Sequence, residues 1–175
     1  MHCIKIANYQ EAPNFTKVKY GDHYECGFIN RKKLKANIEY TTPHGHVYRT
    51  DHKGRIKEVY ADDLSLLDDG RNLYAQRTVG REDRLPDDDG GHLIAHTFGG
   101  SKDIDNLVPK VNTSIVHLKR MVNGISWRKN GNQQKKRVKL LKIELKYTSD
   151  KMRPSVFRVQ YERDGVTVRE FIDNI

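Results

Sequence analysis

The residues "RVKLLKIELKY", 137–147, alternate apolar and polar side chains with a period of two and read as a strand half-buried on one face. "SVFRVQYERDGVTVREFID", 155–173, keeps that period on both sides of Arg163-Asp164-Gly165, the pattern of a hairpin closed by a tight turn. Earlier, "ANIEYTTPHGHVYRTDHKGRIKEVYAD", 36–62, predicts a β-meander. Its bends fall at "TPHGH" and "DHKGR", where Pro, Gly and Asp supply the turn. Val47 and Tyr48, then Ile56, Val59 and Tyr60, are the expected paired strands. Short strands are also expected before residue 34, in "CIKIANY", "TKVKY" and "YECGFIN".

Helical patterns occur in two places. "DGRNLYAQRTV", 69–79, predicts a short helix. From Asn112 onward, Ile115, Leu118, Met121, Val122 and Ile125 recur at helical spacing, with "NTS" supplying cap-type side chains just before them. Between these helices, "REDRLPDDDGG", 81–91, reads as a polar loop, since Pro86 and two glycines exclude regular helix. "HLIAHTF" reads as extended, "GGSKDIDN" as a loop, and "LVP" as a short strand stopped by Pro109. The order strand, loop, strand, helix puts His92 at the first strand and Asn112 at the helix entrance.

The length of 175 residues fits one domain at 34–175 preceded by an N-terminal extension at 1–33. No apolar run approaches 18 residues, so no membrane insertion is expected. "MHCIKIANYQEAPNF" lacks the apolar stretch of a signal peptide, so export would need a signal elsewhere or a larger parent chain. Two cysteines, Cys3 and Cys26, are too few for a zinc site and leave free thiols and a disulfide both open.

Charge sharpens the picture. The net charge is +9, and its distribution is uneven. Ten Lys/Arg and no Asp or Glu lie between Asn106 and Ile143, while acids crowd between Glu82 and Asp105. A basic segment beside an acidic, histidine-bearing loop points to a polyanion partner, with phosphate bound next to a metal or a general base. In "WRKNGNQQKKRVK", Arg128, Lys129, Lys135, Lys136 and Arg137 could meet phosphates and Trp127 could stack on a base, with Lys119 and Arg120 just upstream. The same residues could equally form a solvated surface helix.

Phosphodiester hydrolysis needs an activated water, stabilisation of the phosphorane and stabilisation of the leaving oxygen. A neutral imidazole suits the first task. Arginine suits the second, and Arg77 and Arg84 precede "DDDGGH" closely, although either could instead pair with the acidic run. A divalent ion such as Mg²⁺ suits the third and needs one or two protein oxygens. His92 with Asn112 or a nearby Asn, such as Asn106, would supply this minimal set. Asn112 could also be a simple helix cap, and Asn106 a turn residue. His96 and His117 are weaker candidates, His117 reading best as a surface histidine.

"YAQRTVGREDRLPDDDGGHLIAHTFGGSKDIDNLVP", 74–109, resembles the DNA/RNA non-specific endonucleases, in the branch found as toxin domains of bacterial type VII secretion effectors. The likeness extends over roughly residues 34 to 172. That family belongs to the ββα-metal, or His-Me finger, nucleases. The resemblance implies an α+β fold: a ββα-metal core on an antiparallel sheet, with an N-terminal β extension. It implies His92 as general base, Asp89 holding the loop and orienting the base, Arg77 as the best match for the arginine, and a single Mg²⁺ or Mn²⁺. It implies DNA, and RNA as a further candidate, as substrate, and an acidic immunity protein as partner. It also implies a secreted bacterial effector acting in the target-cell cytoplasm. The sequence departs from the pattern where the family's metal-binding Asn is expected. Ungapped spacing puts Ile115 there, and a loop shorter by three residues puts Asn112 there. Val122 or Asn123 stands where a Glu is usual. These departures keep open a degenerate member that binds nucleic acid or a protein without cutting.

Overall fold

The stretch that begins at Ile38 folds as the expected meander. In the computed structural model, which describes residues 14–26, 32–64, 73–111 and 138–175, strands β4 (Ile38–Thr41), β5 (Val47–Thr50) and β6 (Ile56–Asp63) pair antiparallel. Their alternation puts Ile38, Tyr40, Tyr48, Ile56, Val59 and Ala61 on one buried face. Burying each of the larger side chains contributes about 1.5–3 kcal/mol.

The sheet continues through β9 (Val138–Lys146), β10 (Val156–Arg163) and β11 (Val166–Asp173), and β9 pairs with β6. The β10–β11 turn is the two residues Asp164 and Gly165, with φ of 54° and 77°. Both are left-handed, as a turn that matches the strand twist requires. The short strand β1 (Thr16–Val18) joins the other edge parallel to β4, so the seven-stranded sheet is mixed, in the order β1-β4-β5-β6-β9-β10-β11. Two ribbons complete the strands among the described residues: β2 (Tyr24–Cys26) with β3 (Lys32–Leu34), and β7 (Asp88–His92) with β8 (Leu107–Val111).

Helix is scarce among the described residues. It amounts to α1 (Leu73–Thr78) and three 3₁₀ turns at Arg81–Asp83, His96–Phe98 and Ile104–Asn106. The expected α+β, ββα-metal core is therefore corrected. The described residues are mostly β, built on one large mixed sheet that the parallel β1–β4 pairing prevents from being antiparallel. The described residues bury apolar surface mainly by alternation on strands, which leaves little among them for helices to cover. The helix expected from Asn112 lies outside the described residues.

Two local boundaries also differ from expectation. The first strand of the central ribbon is "DDGGH", not "HLIAHTF": Leu93 and Ile94 leave the strand and bury in the loop, in one hydrophobic cluster with Phe98, Val108 and the sheet's inner face. Nor does Pro109 stop β8. Val111 N–H and the carbonyl of Pro109 both face Asn174, which bonds them at 3.0 and 3.1 Å. The missing Pro109 N–H thus points to the outer edge and costs no ladder bond to β7.

Candidate active site

The β7–β8 ribbon carries His92 at its end, opposite Leu107. Two glycines precede it because both faces of β7 are closely approached. A Cβ on Gly90 would lie 2.2 Å from the carbonyl oxygen of Gln76 in α1, and one on Gly91 would lie 2.1 Å from Cε of Lys110. Only hydrogen at these positions lets the helix backbone and a lysine chain cross the strand.

The start of β7 is fixed by charge. Asp88 is buried and takes two hydrogen bonds from Arg153, Nε at 2.7 Å and Nη2 at 3.0 Å, plus one from the amide of Leu85. Arg84 donates to the carbonyls of Gln76, Arg77 and Asp88, tying the end of α1 to the strand. The far end is fixed by a buried lysine. Lys110, 1% exposed, donates from Nζ to the carbonyl of His92 at 2.6 Å and sits over the Phe157 ring.

Beyond His92 the loop is organised by Asn106, which is fully buried. Its Oδ1 accepts from Ile94 N–H at 2.9 Å and from the Tyr48 hydroxyl at 2.8 Å. Its Nδ2 donates to the carbonyls of Ile94 and Ser101, and its own carbonyl accepts from Leu93 N–H. Asp105, next to it, accepts from Tyr20 Oη and His23 Nε2, while Tyr40 donates to its carbonyl. Burial pushes the Asp105 carboxyl up, but hydrogen bonds from His23, Ser101 and Tyr20 outweigh it and hold the group below its ordinary range. Burial, with the Asp105 charge behind it, raises the hydroxyls of Tyr40 and Tyr48, so both stay neutral donors.

The structure thus brings some expected residues together and separates others. His92 is half-buried with its backbone held on both sides. Asp89 is three residues away on an alternating strand, so it lies on the opposite face, 68% exposed at its side chain and 3.9 Å from Arg84. The acid that anchors the strand is Asp88. Arg84 serves backbone carbonyls, whereas Arg77 stands exposed on α1. His96 lies in a 3₁₀ turn, and its ring nitrogens make no hydrogen bond among the described residues. Asn112, Lys119, Arg120, Trp127, Arg128, Lys129, Lys135, Lys136 and Arg137 lie outside the described residues.

Among the described residues, Asn106 is not open to a divalent ion. No group of three or more His, Cys, Asp and Glu converges among them, and the Asn106 oxygen already accepts two hydrogen bonds. An apolar cleft of about 430 Å³ opens elsewhere, against β8, with Leu34, Ile56, Val79, Leu107, Pro109 and Met152 in its wall. His92 is not among its lining residues.

Sequence reasoning missed Asp88 with Arg153, Lys110, and Tyr20 with His23. A lysine inside "LVPKV" is the one local signal, since a cation in an apolar strand needs a buried acceptor.

Residues 36–165 match the family model described as DNA/RNA non-specific endonuclease. Over 168 residues the chain is 56% identical to the type VII secretion system protein EssD of Staphylococcus aureus strain USA300, and equally to that of strain NCTC 8325. The aligned part covers 94% of this chain and 27% of each relative, so the chain spans about a quarter of their length. With the matched stretch enclosing the ribbon, its histidine and most of the sheet, the chain belongs to the DNA/RNA non-specific endonuclease family.

Proposed function

We propose that this chain is the nuclease part of a secreted type VII effector and that it hydrolyses phosphodiester bonds of DNA, and of RNA as a second substrate. The observation that carries the reading is the placement of His92. His92 sits half-buried at the end of a ribbon whose backbone is held by Lys110 before the loop and by Asn106 after it. A base so fixed needs little reorganisation to meet a water and a phosphate. The imidazole takes a proton from water as the water oxygen bonds to phosphorus. The bond to the 3′ oxygen then breaks, and that oxygen leaves with a proton from solvent. Arg77, exposed on the helix that packs on β7, is the cation assigned to the phosphorane.

Metal dependence is part of this proposal. Asn112 follows β8 directly and is the assigned ligand of one Mg²⁺ or Mn²⁺. When bound, such an ion stabilises charge on the phosphate and the leaving oxygen. The basic residues from Lys119 to Arg137 are assigned to the nucleic acid backbone, which suits an enzyme without sequence preference. Secretion is supported by the similarity to the type VII secretion system protein EssD; action in a target cell is part of the proposal, and the net charge of +9 suits an acidic partner such as an immunity protein. No helix among the described residues is long and apolar enough to cross a membrane.

The test is nicking of supercoiled plasmid with Mg²⁺, with EDTA, and by His92→Ala. The reading expects cutting by the parent chain alone, with DNA binding retained by the variant. Equal cutting by His92→Ala removes the mechanism. Binding without cutting by the parent chain favours the degenerate reading that Ile115 and Val122 raise. Mn²⁺ binding followed by electron paramagnetic resonance, with Asn112→Ala, tests the ligand independently of activity.

A further inference from the structure

The stretch matched to the family begins at residue 36, yet the loop after His92 is held partly by residues before it. His23 is fully buried and stacked between Tyr20 and Tyr40, with ring centroids 4.7 and 4.3 Å away. The Gly21 amide donates to its Nδ1 at 3.0 Å, so that nitrogen is bare and the proton is on Nε2. Nε2 then donates to Asp105 Oδ2 at 3.2 Å, and the Tyr20 hydroxyl reaches the same oxygen at 3.0 Å. Lys32 binds Asp103 at 2.7 Å and ties the same turn to β3.

We infer that Tyr20 and His23 are positioning residues of the nuclease site: through the buried carboxylate of Asp105 they fix Asn106, and through Asn106 the backbone that leaves His92. The inference rests on the reading of His92 as the base. The mechanical route is short. Asp105 and Asn106 share one 3₁₀ turn, and Asn106 holds the amides of both Leu93 and Ile94. Without these two of its side-chain donors, a buried carboxylate must find other partners, and the turn moves with it. A displacement of about 1 Å at a base costs on the order of 10²-fold in rate. The residues from Thr16 to Cys26 are therefore part of the catalytic unit and not a dispensable lead-in.

The experiment compares His23→Ala, His23→Gln and Tyr20→Phe with the full 175-residue chain and with His92→Ala. It reads plasmid nicking in Mg²⁺ and hydrogen exchange at the amides of Leu93 and Ile94. The glutamine amide can donate to Asp105 as Nε2 does. Expected for His23→Ala is a kcat lower by about tenfold or more with KM nearly unchanged, the pattern of lost transition-state geometry. Exchange at both amides should speed up, and His23→Gln should recover most of both effects. If His23→Ala unfolds, Tyr20→Phe decides, since it removes one donor and keeps the ring. A parent-like kcat and parent-like exchange in a folded variant overturn the inference while leaving His92 intact as the base. If instead His92→Ala cuts normally, the reading of the base falls, and amide exchange still decides whether His23 positions the loop.

Discussion

Arg153 grips Asp88 across 65 residues of sequence, with both carboxylate oxygens engaged and the acid fully buried at its side chain. The same arginine donates to the carbonyl of Asn174 near the chain's end. One side chain therefore joins the β9–β10 connection, the start of β7 and the strand end after β11. Removing one partner of a buried pair leaves the other without compensation, at about 3–5 kcal/mol. Arg153→Met should lower stability by that order in urea unfolding monitored by circular dichroism. A loss under about 1 kcal/mol would mean that Asp88 finds another donor.

Asn106→Leu is expected to be at least as harmful. It keeps the volume but strands the Ile94 amide and carbonyl, the Ser101 carbonyl and the Tyr48 hydroxyl inside the fold. Each unpaired buried group costs about 1–3 kcal/mol. A thermal melt lowered by several degrees or more, together with lost nuclease activity, is the outcome to look for. Tyr48→Phe, which removes one partner of four, should fall between that variant and the parent.

Much of this framework was open to a reading of the chain, and the reasons for the remainder are physical. The meander at 36–62 and the hairpin at 155–173 are legible because each strand shows one apolar face and each turn carries its own chemistry. Strand β9 is less regular. Leu140 and Leu141 together oppose Tyr161 in a bulge, with φ of 50° at Leu140, which turns Leu140 outward and lets Val138 point inward. At β7 the glycines looked like loop formers, but they are there for close approach inside a strand. His92 was singled out because its motif is contiguous. Asp88 with Arg153 and His23 with Asp105 join residues 65 and 82 apart, and no spacing rule predicts such pairs.

The two glycines before His92 should respond differently to alanine. At Gly90 the new methyl meets the Gln76 backbone, which cannot move without shifting α1. At Gly91 it meets the far end of the Lys110 chain, which can swing aside at the cost of its bond to the His92 carbonyl. Gly90→Ala is thus expected to destabilise strongly, by about 3 kcal/mol or more on the scale of overpacked sites. Gly91→Ala should fold better and lose activity out of proportion to its stability. Denaturation midpoints and nicking rates measured side by side would reverse this assignment if the second variant proved the less stable.

Acid should weaken the fold in two separable steps. His46 closes the β4–β5 turn, where burial, helped by the neighbouring His44, lowers its pKa from 6.5 to about 4. Its Nδ1 has no hydrogen-bond partner among the described residues, so a proton there would be buried uncompensated. Between those two values the unfolded chain binds more protons than the folded one, so stability falls as pH drops from about 6.5 toward 4. Asp105 acts lower. Its folded pKa is depressed, so its contribution is present above the unfolded value of 3.8 and is lost as pH falls through the folded one. Urea midpoints should therefore decline from pH 7 to pH 5 in the parent chain and decline less in His46→Gln, which has nothing to titrate at that position. The same substitution should leave the further decline below pH 4 in place. NMR titration of the His46 ring gives the direct check: an ordinary midpoint near 6.5 would remove this source of the upper step, because a group that titrates alike in both states cannot make stability depend on pH.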